Sequence, residues 1–312
     1  MVDKLKKIWV DGEMVDWDDA HVHLLTHSIH YGIAAFEGIR AYKRAGDASG
    51  VGTGTHVFRL KEHIQRLADT CKMTLIPSKF TQAQIEAACV ELLRVNGMEE
   101  GYIRPLVFLG DGAMGVFPAN NPVRTAIMAW KWGSYLGEEG LTKGIRCKIS
   151  SFARHHVNIS LAKGKITGQY TNSVLAKREA KLAGYDEAIM LDAQGYVSEG
   201  SGENLFIVKH GVLITPDLSS SILEGITRDT VLELAREEGL PVKETRLTRD
   251  QLWLADEAFF TGTAAELTPI REVDDRAIGA GTIGPVTRRL QARFFDVVRG
   301  SDTSHGAWLT KV

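Results

Sequence analysis

A chain of 312 residues, 44% hydrophobic and 24% charged, is long enough for two ordinary domains or one large one, and its balance excludes the disordered and fibrous classes. A formal net charge of −2 gives no reason to expect nucleic acid or an anionic membrane as a partner. No apolar run approaches the ~20 residues that span a bilayer, and the opening MVDKLKKIWVDGEMV carries acids and no long apolar stretch, unlike a secretory signal.

Along the chain, residues 8–15 read as a hairpin turning at Asp11-Gly12, whose residues tolerate positive φ. HVFRL (56–60) is strand-like, and the helix after it carries Leu60, Ile64, Leu67 and Cys71 at helical spacing. A second helix opens at Thr81, with Gln84 as capping-box partner. It buries Ile85, Cys89 and Leu92 and stops near Gly97. Strands follow around 102–110 and 125–132, and the glycine-rich 133–144 reads as the linker. The second half opens with a strand at 145–152 and a helix over 172–183. Strands follow at 187–191, 204–208 and 212–215, then a helix at 229–238, a strand at 257–262 and a terminal helix at 286–299. Hairpins with separated helices argue for α+β rather than a doubly wound parallel sheet. The odd, widely spaced Cys71, Cys89 and Cys147 suit neither a disulfide framework nor a zinc site, and a reducing cytoplasm fits them best.

Four local features in the second half stand where an element meets a loop, the usual place for functional groups. KGKITGQYTNS (163–173) offers Lys163, Lys165 and Tyr170 before a helix; a lysine attacks a carbonyl only while unprotonated, which a desolvating or cationic setting supplies. A solvated loop lysine is the ordinary alternative. GYVSEGSGENLFIV (195–208) sets Glu199 and Glu203 among glycines between strands, where a buried carboxylate needs a partner such as a protonated ring nitrogen; an exposed turn with two solvated acids is equally open. Gly225-Ile226-Thr227 precedes a helix whose first N–H groups would face a phosphate, unless a Thr or Asp side chain simply caps it. TGTAAELTPI (261–270) is a strand end with two hydroxyls and small residues that let a ligand approach the backbone, or else a tight connection.

Together with HYGIAAFEGIRAY (30–42), VFRLKEHIQRL (57–67), YIRPLVFLGDGAMGV (102–116) and KWGSYLG (131–137), these segments resemble the fold-type-IV pyridoxal-phosphate enzymes in wording and order. The resemblance is closest to the branched-chain amino-acid aminotransferases and spans most of the chain. It implies an α+β, two-domain fold like that of D-amino-acid aminotransferase. A small N-terminal α/β domain would span 1–133, an interdomain loop 134–144, and a larger cofactor-binding domain with a barrel-like sheet 145–312.

The same resemblance implies pyridoxal 5′-phosphate as cofactor, no metal, and roles for matching residues. Lys165, five residues before Tyr170, would carry the cofactor and act as catalytic base; Lys163 would need a tyrosine where the chain has Gly168. Tyr170 would bond the ring hydroxyl, Glu199 the ring nitrogen, and Leu223 would pack on the ring. Arg59, Ile226, Thr227 and Thr263 would hold the phosphate. Tyr102 with the Thr263-Ala264 backbone would receive the substrate carboxylate, and Arg104 the distal carboxylate of glutamate. Tyr31, Phe36, Met114, Val116 and Trp132 would line an apolar pocket. The implied reaction is ping-pong transamination between leucine, isoleucine or valine and 2-oxoglutarate, in a cytoplasmic homo-oligomer of at least two subunits, with a hexamer as the larger option.

Rivals on the same fold are D-amino-acid or (R)-amine aminotransferases and aminodeoxychorismate lyase; the segments carrying Tyr102 and Arg104 favour the branched-chain reading. A cofactor binder without turnover would have no chemical need of both Lys165 and Glu199, and a purely structural oligomer would bind no chromophore. The stretch 154–170 departs from the common family wording, which has prolines and a double glycine, in His155-His156 and a lone Gly168 in place of the glycine pair, which bears on substrate range more than on cofactor use. The G-x-G-x-x-G match at 279–284 is read as a turn, since too little chain follows it for a dinucleotide fold. The glycines from 51 read as a hairpin loop. His21, His23, His27 and His30 lack the acid or cysteine that would complete a metal site, although His21 and His23 would share a strand face.

Overall fold

The computed structural model describes residues 3–44, 54–118, 120–133 and 136–312. The hairpin-loop reading from 51 falls largely outside them, as do Ser134 and Tyr135 of the expected linker. The chain divides into two compact units, residues 1–133 with 164–169 and 296–312, and residues 134–163 with 170–295. One boundary between the units falls after residue 133. However, the units are discontinuous, and each takes half of the chain rather than a small and a large share.

In the first unit, eight strands form an antiparallel sheet in the order Leu309–Lys311, Thr55–Phe58, Ile39–Lys43, Gly101–Leu109, Val123–Trp130, Lys7–Val10, Glu13–Asp16, with Ala34–Phe36 also on Gly101–Leu109. The first hairpin turns where expected, with Asp11 and Gly12 at φ 49° and 106°. Helix Leu60–Thr74 begins two residues after its strand, because Arg59 adopts left-handed backbone (φ 48°) and ends the extended run. Helix Gln82–Asn96 starts from the Thr81–Gln84 capping box and closes on Gly97, as its sequence predicts. The two helices bury Ile64, Leu67, Cys71, Ile85, Cys89 and Leu92 with Trp9, Ile39, Val57, Ile103 and Ile127. Each such side chain contributes about 1.5–3 kcal/mol through burial.

In the second unit, nine strands run in the order Val197–Gly200, Glu187–Leu191, Ile145–Ile149, Glu266–Val273, Glu257–Gly262, Asn204–Lys209, Val212–Thr215, Val242–Glu244, with Arg276–Ala277 on Glu266–Val273. Ile145–Ile149 pairs in parallel with both of its neighbours, so the sheet is mixed. A bridge from Val197, in one end strand, to Leu247, just past the other, curls the sheet nearly closed, which fits the barrel-like expectation. Helix Tyr170–Leu182 packs Ala176 and Ala180 on Ala188 and Met190. Helix Ile226–Glu237 starts three residues before the predicted point, because Gly225 occupies its N-cap and no side chain caps it. The expected linker contains the helix Glu138–Lys143, flanked by Gly137 and Gly144 and carrying a Glu139–Lys143 pair at 2.8 Å. Gly279 and Gly281 turn the chain ahead of helix Pro285–Val298, consistent with discounting a dinucleotide site.

Candidate active site

In the first unit, an aromatic group surrounds one arginine. Tyr102 and Arg104 sit two apart on strand Gly101–Leu109 and therefore share a face. Arg104 Nη2 donates to the Tyr102 hydroxyl at 3.1 Å. Its guanidinium lies 4.8 Å from the Phe36 ring centroid, 5.2 Å from Tyr102 and 5.4 Å from Trp130. Trp132 meets Tyr102 edge-on at 4.7 Å. Arg104 Nε is buried without a hydrogen-bond partner among the described residues, an arrangement that suits an incoming anion.

Lys165 joins this group. Its Nζ lies 5.0 Å from the Phe36 ring centroid, so one ring is flanked by a lysine and an arginine. The segment carrying it is held through its main chain: Phe36 N–H donates to the Lys165 carbonyl at 3.1 Å, and Gly168 N–H to the Gly32 carbonyl at 2.7 Å. A Cβ on Gly168 would stand 2.8 Å from the Gly32 oxygen, so glycine is sterically required at this position.

The remaining predicted residues of this unit stand in other settings. Arg59 is buried, donates from Nε to Glu62 at 2.8 Å and stacks 5.0 Å from the Trp308 ring centroid. Met114 and Val116 lie on the loop after Gly110, where Val116 is 90% exposed. That loop is pinned by Asn121, which donates to the Gly110 and Ala113 carbonyls, and by His27 Nε2, 2.7 Å from the Gly115 carbonyl. The exposed Tyr31 stacks on His27 at 4.5 Å. His27 thus links Tyr31 to that loop, and His23 and His30 likewise bond main chain. His21 and His23 lie outside any strand, so the shared strand face expected for them does not form.

In the second unit the centre is Glu199. It lies within strand Val197–Gly200, at a register shift, rather than between strands. Its Oε1 pairs with Arg154 Nη2 at 2.8 Å; Oε2 accepts from Asn204 Nδ2 at 3.0 Å and from Leu223 N–H at 3.1 Å. Asn204 also donates to the Leu223 carbonyl at 2.9 Å, tying the acid to the loop before helix Ile226–Glu237. With Gly225 as cap and Asp229 making the first helical bond, the amides of Ile226 and Thr227 open the helix. A Cβ on Gly225 would meet Asn204 Oδ1 at 1.9 Å, so only glycine lets Asn204 reach under this turn. Thr263 and Ala264 form the turn after strand Glu257–Gly262.

Lys163 belongs to this second group. Its Nζ donates to the Leu218 and Ile222 carbonyls at 2.7 and 3.0 Å, and burial pushes its pKa below the ordinary lysine value. It grips the loop before helix Ile226–Glu237. Sequence reasoning missed Arg154, Thr70 and Trp308, which act through partners distant in the chain, and Asn204, which bonds Glu199 five residues away and the Leu223 carbonyl. His156 Nδ1 accepts from Asn158 N–H at 3.2 Å, as in a polar turn.

The chain is similar to known proteins along most of its length. Residues 34–273 match the model of the family described as amino-transferase class IV. The chain is 50% identical over 312 residues to the branched-chain-amino-acid aminotransferase of Pseudomonas aeruginosa, covering all of this chain and 99% of that one. It matches the crystal structure of the Escherichia coli branched-chain amino acid aminotransferase with a TM-score of 0.94 at 46% identity, covering 98% of this chain and 99% of that one. The T.th. branched-chain amino acid aminotransferase with pyridoxamine 5′-phosphate matches with a TM-score of 0.93 at 46% identity, covering 98% of each chain. The same T.th. enzyme has been solved with N-(5′-phosphopyridoxyl)-L-glutamate and with 4-methylvaleric acid. A family match across most of the chain and half-identical relatives along its whole length agree, and the chain belongs to the class IV aminotransferases.

Proposed function

We propose that this aminotransferase moves the amino group of leucine, isoleucine or valine to 2-oxoglutarate, with pyridoxal 5′-phosphate as cofactor. The observation that carries the reading is the Phe36 ring flanked by Lys165 Nζ at 5.0 Å and the Arg104 guanidinium at 4.8 Å. It sets an amine, an apolar surface and a cation with no carboxylate partner among the described residues in one place. An aliphatic side chain suits the ring, and the second carboxylate of glutamate suits the arginine. The glutamate and 4-methylvaleric acid complexes of the T.th. relative support the same pair of substrates.

The chain's residues fit the cofactor. Uncapped amides at Ile226 and Thr227 suit a phosphate, and Glu199, held by Arg154 and Asn204, suits a ring nitrogen. Pyridoxal phosphate supplies a carbonyl that exchanges for the substrate's amino group and a protonated ring that withdraws electrons from its α-carbon. In this reading Lys165 would hold the cofactor, and its Nζ would take the substrate's α-proton and return it. Glu199 keeps the ring nitrogen protonated and Tyr170 donates to the ring hydroxyl. Arg59, Ile226, Thr227 and Thr263 bind the phosphate, and Leu223 packs on the ring. Tyr102 and the Thr263-Ala264 amides bind the substrate carboxylate. Phe36, Trp132 and Tyr31 give the pocket its apolar walls, with Met114 and Val116 on the pinned loop. Each buried methylene adds only about 0.8 kcal/mol, so discrimination among the three amino acids is mild.

We take the assembly to be at least a homodimer, with a hexamer as the larger option; the exposed Val116 and Phe117 side chains support burial by a second copy. Three unpaired, buried thiols accord with a reducing cytoplasm. The test is the visible spectrum of the protein loaded with pyridoxal phosphate. L-leucine should shift the band to the pyridoxamine form, D-alanine should not, and Lys165→Ala should abolish turnover. A shift with D-alanine or an (R)-amine but not L-leucine would overturn the substrate class.

A further inference from the structure

Helix Leu60–Thr74 presents His63, Arg66 and Thr70 at spacings of three and four, hence on one face. Each holds a residue beside or within the lysine segment. Thr70 is fully buried, and its hydroxyl donates to the Arg66 carbonyl at 2.9 Å while accepting the Lys165 N–H at 3.1 Å. A hydroxyl can do both at once; a methyl can do neither. Arg66 grips Glu37 through two bonds, Nε–Oε1 at 2.6 Å and Nη2–Oε2 at 2.9 Å, and His63 Nδ1 lies 2.7 Å from Oε2. Glu37 N–H donates to the Pro105 carbonyl at 2.9 Å, and its neighbour Phe36 donates to the Lys165 carbonyl at 3.1 Å. The amide and the carbonyl of Lys165 are therefore held from the helix and from the Phe36–Glu37 strand end.

We propose that Thr70, seconded by the buried Glu37–Arg66 pair, is a positioning residue that brackets the main chain of Lys165 and sets where its amino group acts. The inference rests on Lys165 being the cofactor lysine. That amine must both hold the cofactor and meet the α-proton, and reacting atoms misplaced by about 1 Å can lose up to about 10²-fold in rate. The lysine's stem is long and flexible, so the fixed point that limits its sweep is its own backbone. A stability role alone predicts a lower melting temperature and nothing more.

The experiment compares Thr70→Val and Thr70→Ser with the parent protein, each loaded with pyridoxal phosphate. Valine keeps the shape and removes the acceptor; serine keeps the hydroxyl. With the valine variant, kcat should fall about tenfold and the visible band should fade about tenfold faster on dialysis, while KM for L-leucine stays unchanged. Serine should restore both. Thr70→Cys, with a weakly accepting thiol, is the second variant and should show the same split should the valine protein not fold. A valine or cysteine variant with parental kcat and band lifetime, whatever its melting temperature, would overturn the bracket. A parent protein that develops no visible band with the cofactor would instead overturn the cofactor reading itself.

Discussion

Two buried carboxylates, Glu37 in one unit and Glu203 in the other, end in opposite states. Glu37 is fully buried, yet Arg66 binds both of its oxygens and His63 stands beside it; these hold its carboxyl well below the usual carboxylate range against the opposing cost of burial. His63, itself buried, has its pKa lowered by desolvation, so the pairing rests mainly on Arg66. The Glu203 carboxylate accepts the Gly202 N–H at 3.1 Å, while the nearby Lys177 is paired with Glu187. Burial, reinforced by the Glu187 charge, pushes Glu203 up to about 8. Equal burial thus gives an ion in one place and a neutral acid in the other, and the dedicated cation decides.

The largest effect should come from breaking the paired site. Arg66→Met leaves Glu37 buried without its main partner and is expected to cost about 3–5 kcal/mol, measured by urea unfolding at neutral pH. Glu37 contributes stability above the ordinary carboxylate range, and loses it as pH falls toward its depressed folded value. The variant should therefore lack part of the parent's acid sensitivity. A loss under about 1 kcal/mol, the level of an exposed pair, would break the contrast.

Glu199 is a third buried acid, shared among Arg154, Asn204 and the Leu223 amide. Glu199→Gln keeps the shape and removes the charge, and kcat should fall by about 10²-fold if the acid serves the ring nitrogen. Full activity in that variant would remove Glu199 from the chemistry.

Glu203→Gln sharpens the other side. A folded pKa raised to about 8 means that the unfolded chain releases its proton first as pH rises. The neutral acid's contribution is whole below the ordinary carboxylate pKa and is lost progressively as pH climbs through about 8. Glutamine should flatten that decline and add about 1–3 kcal/mol at alkaline pH. A parent stability curve flat across this window would contradict the assignment.

The smallest effect concerns Lys163, a cation that donates to two carbonyls and stands 4.0 Å from the Glu224 carboxylate. Lys163→Met should leave kcat of the loaded enzyme near parental. It should weaken cofactor retention about tenfold, because the loop ahead of Ile226 loses two bonds. Titration of the apoprotein with pyridoxal phosphate measures this, and unchanged affinity would show the grip to be idle.

Much of the local structure was legible in the sequence. The Asp11-Gly12 turn, the Thr81–Gln84 box and the Gly97 stop follow from chemistry within a few residues of the chain. The helical stripes of Leu60, Ile64, Leu67 and Cys71 follow from periodicity, and the likeness of the family segments singled out Lys165 and Glu199. The start of helix Ile226–Glu237 was misplaced because its cap is a glycine, which signals nothing until Asn204 is seen beneath it. Strand Glu266–Val273 went unseen: its pairing with Glu257–Gly262 and Ile145–Ile149 settles its identity, and its own pattern does not.

By itself the sequence determined what lies within reach of a turn or a helical repeat, together with the residue types available for chemistry. Only the tertiary structure decided which of those residues meet. Arg66 and Glu37 are 29 residues apart and Thr70 and Lys165 are 95 apart, while Arg59 stacks on Trp308 from the far end of the chain. Such pairings, and the ionisation that follows from them, depend on which groups are taken out of water together, a property of the folded core and not of neighbours along the chain.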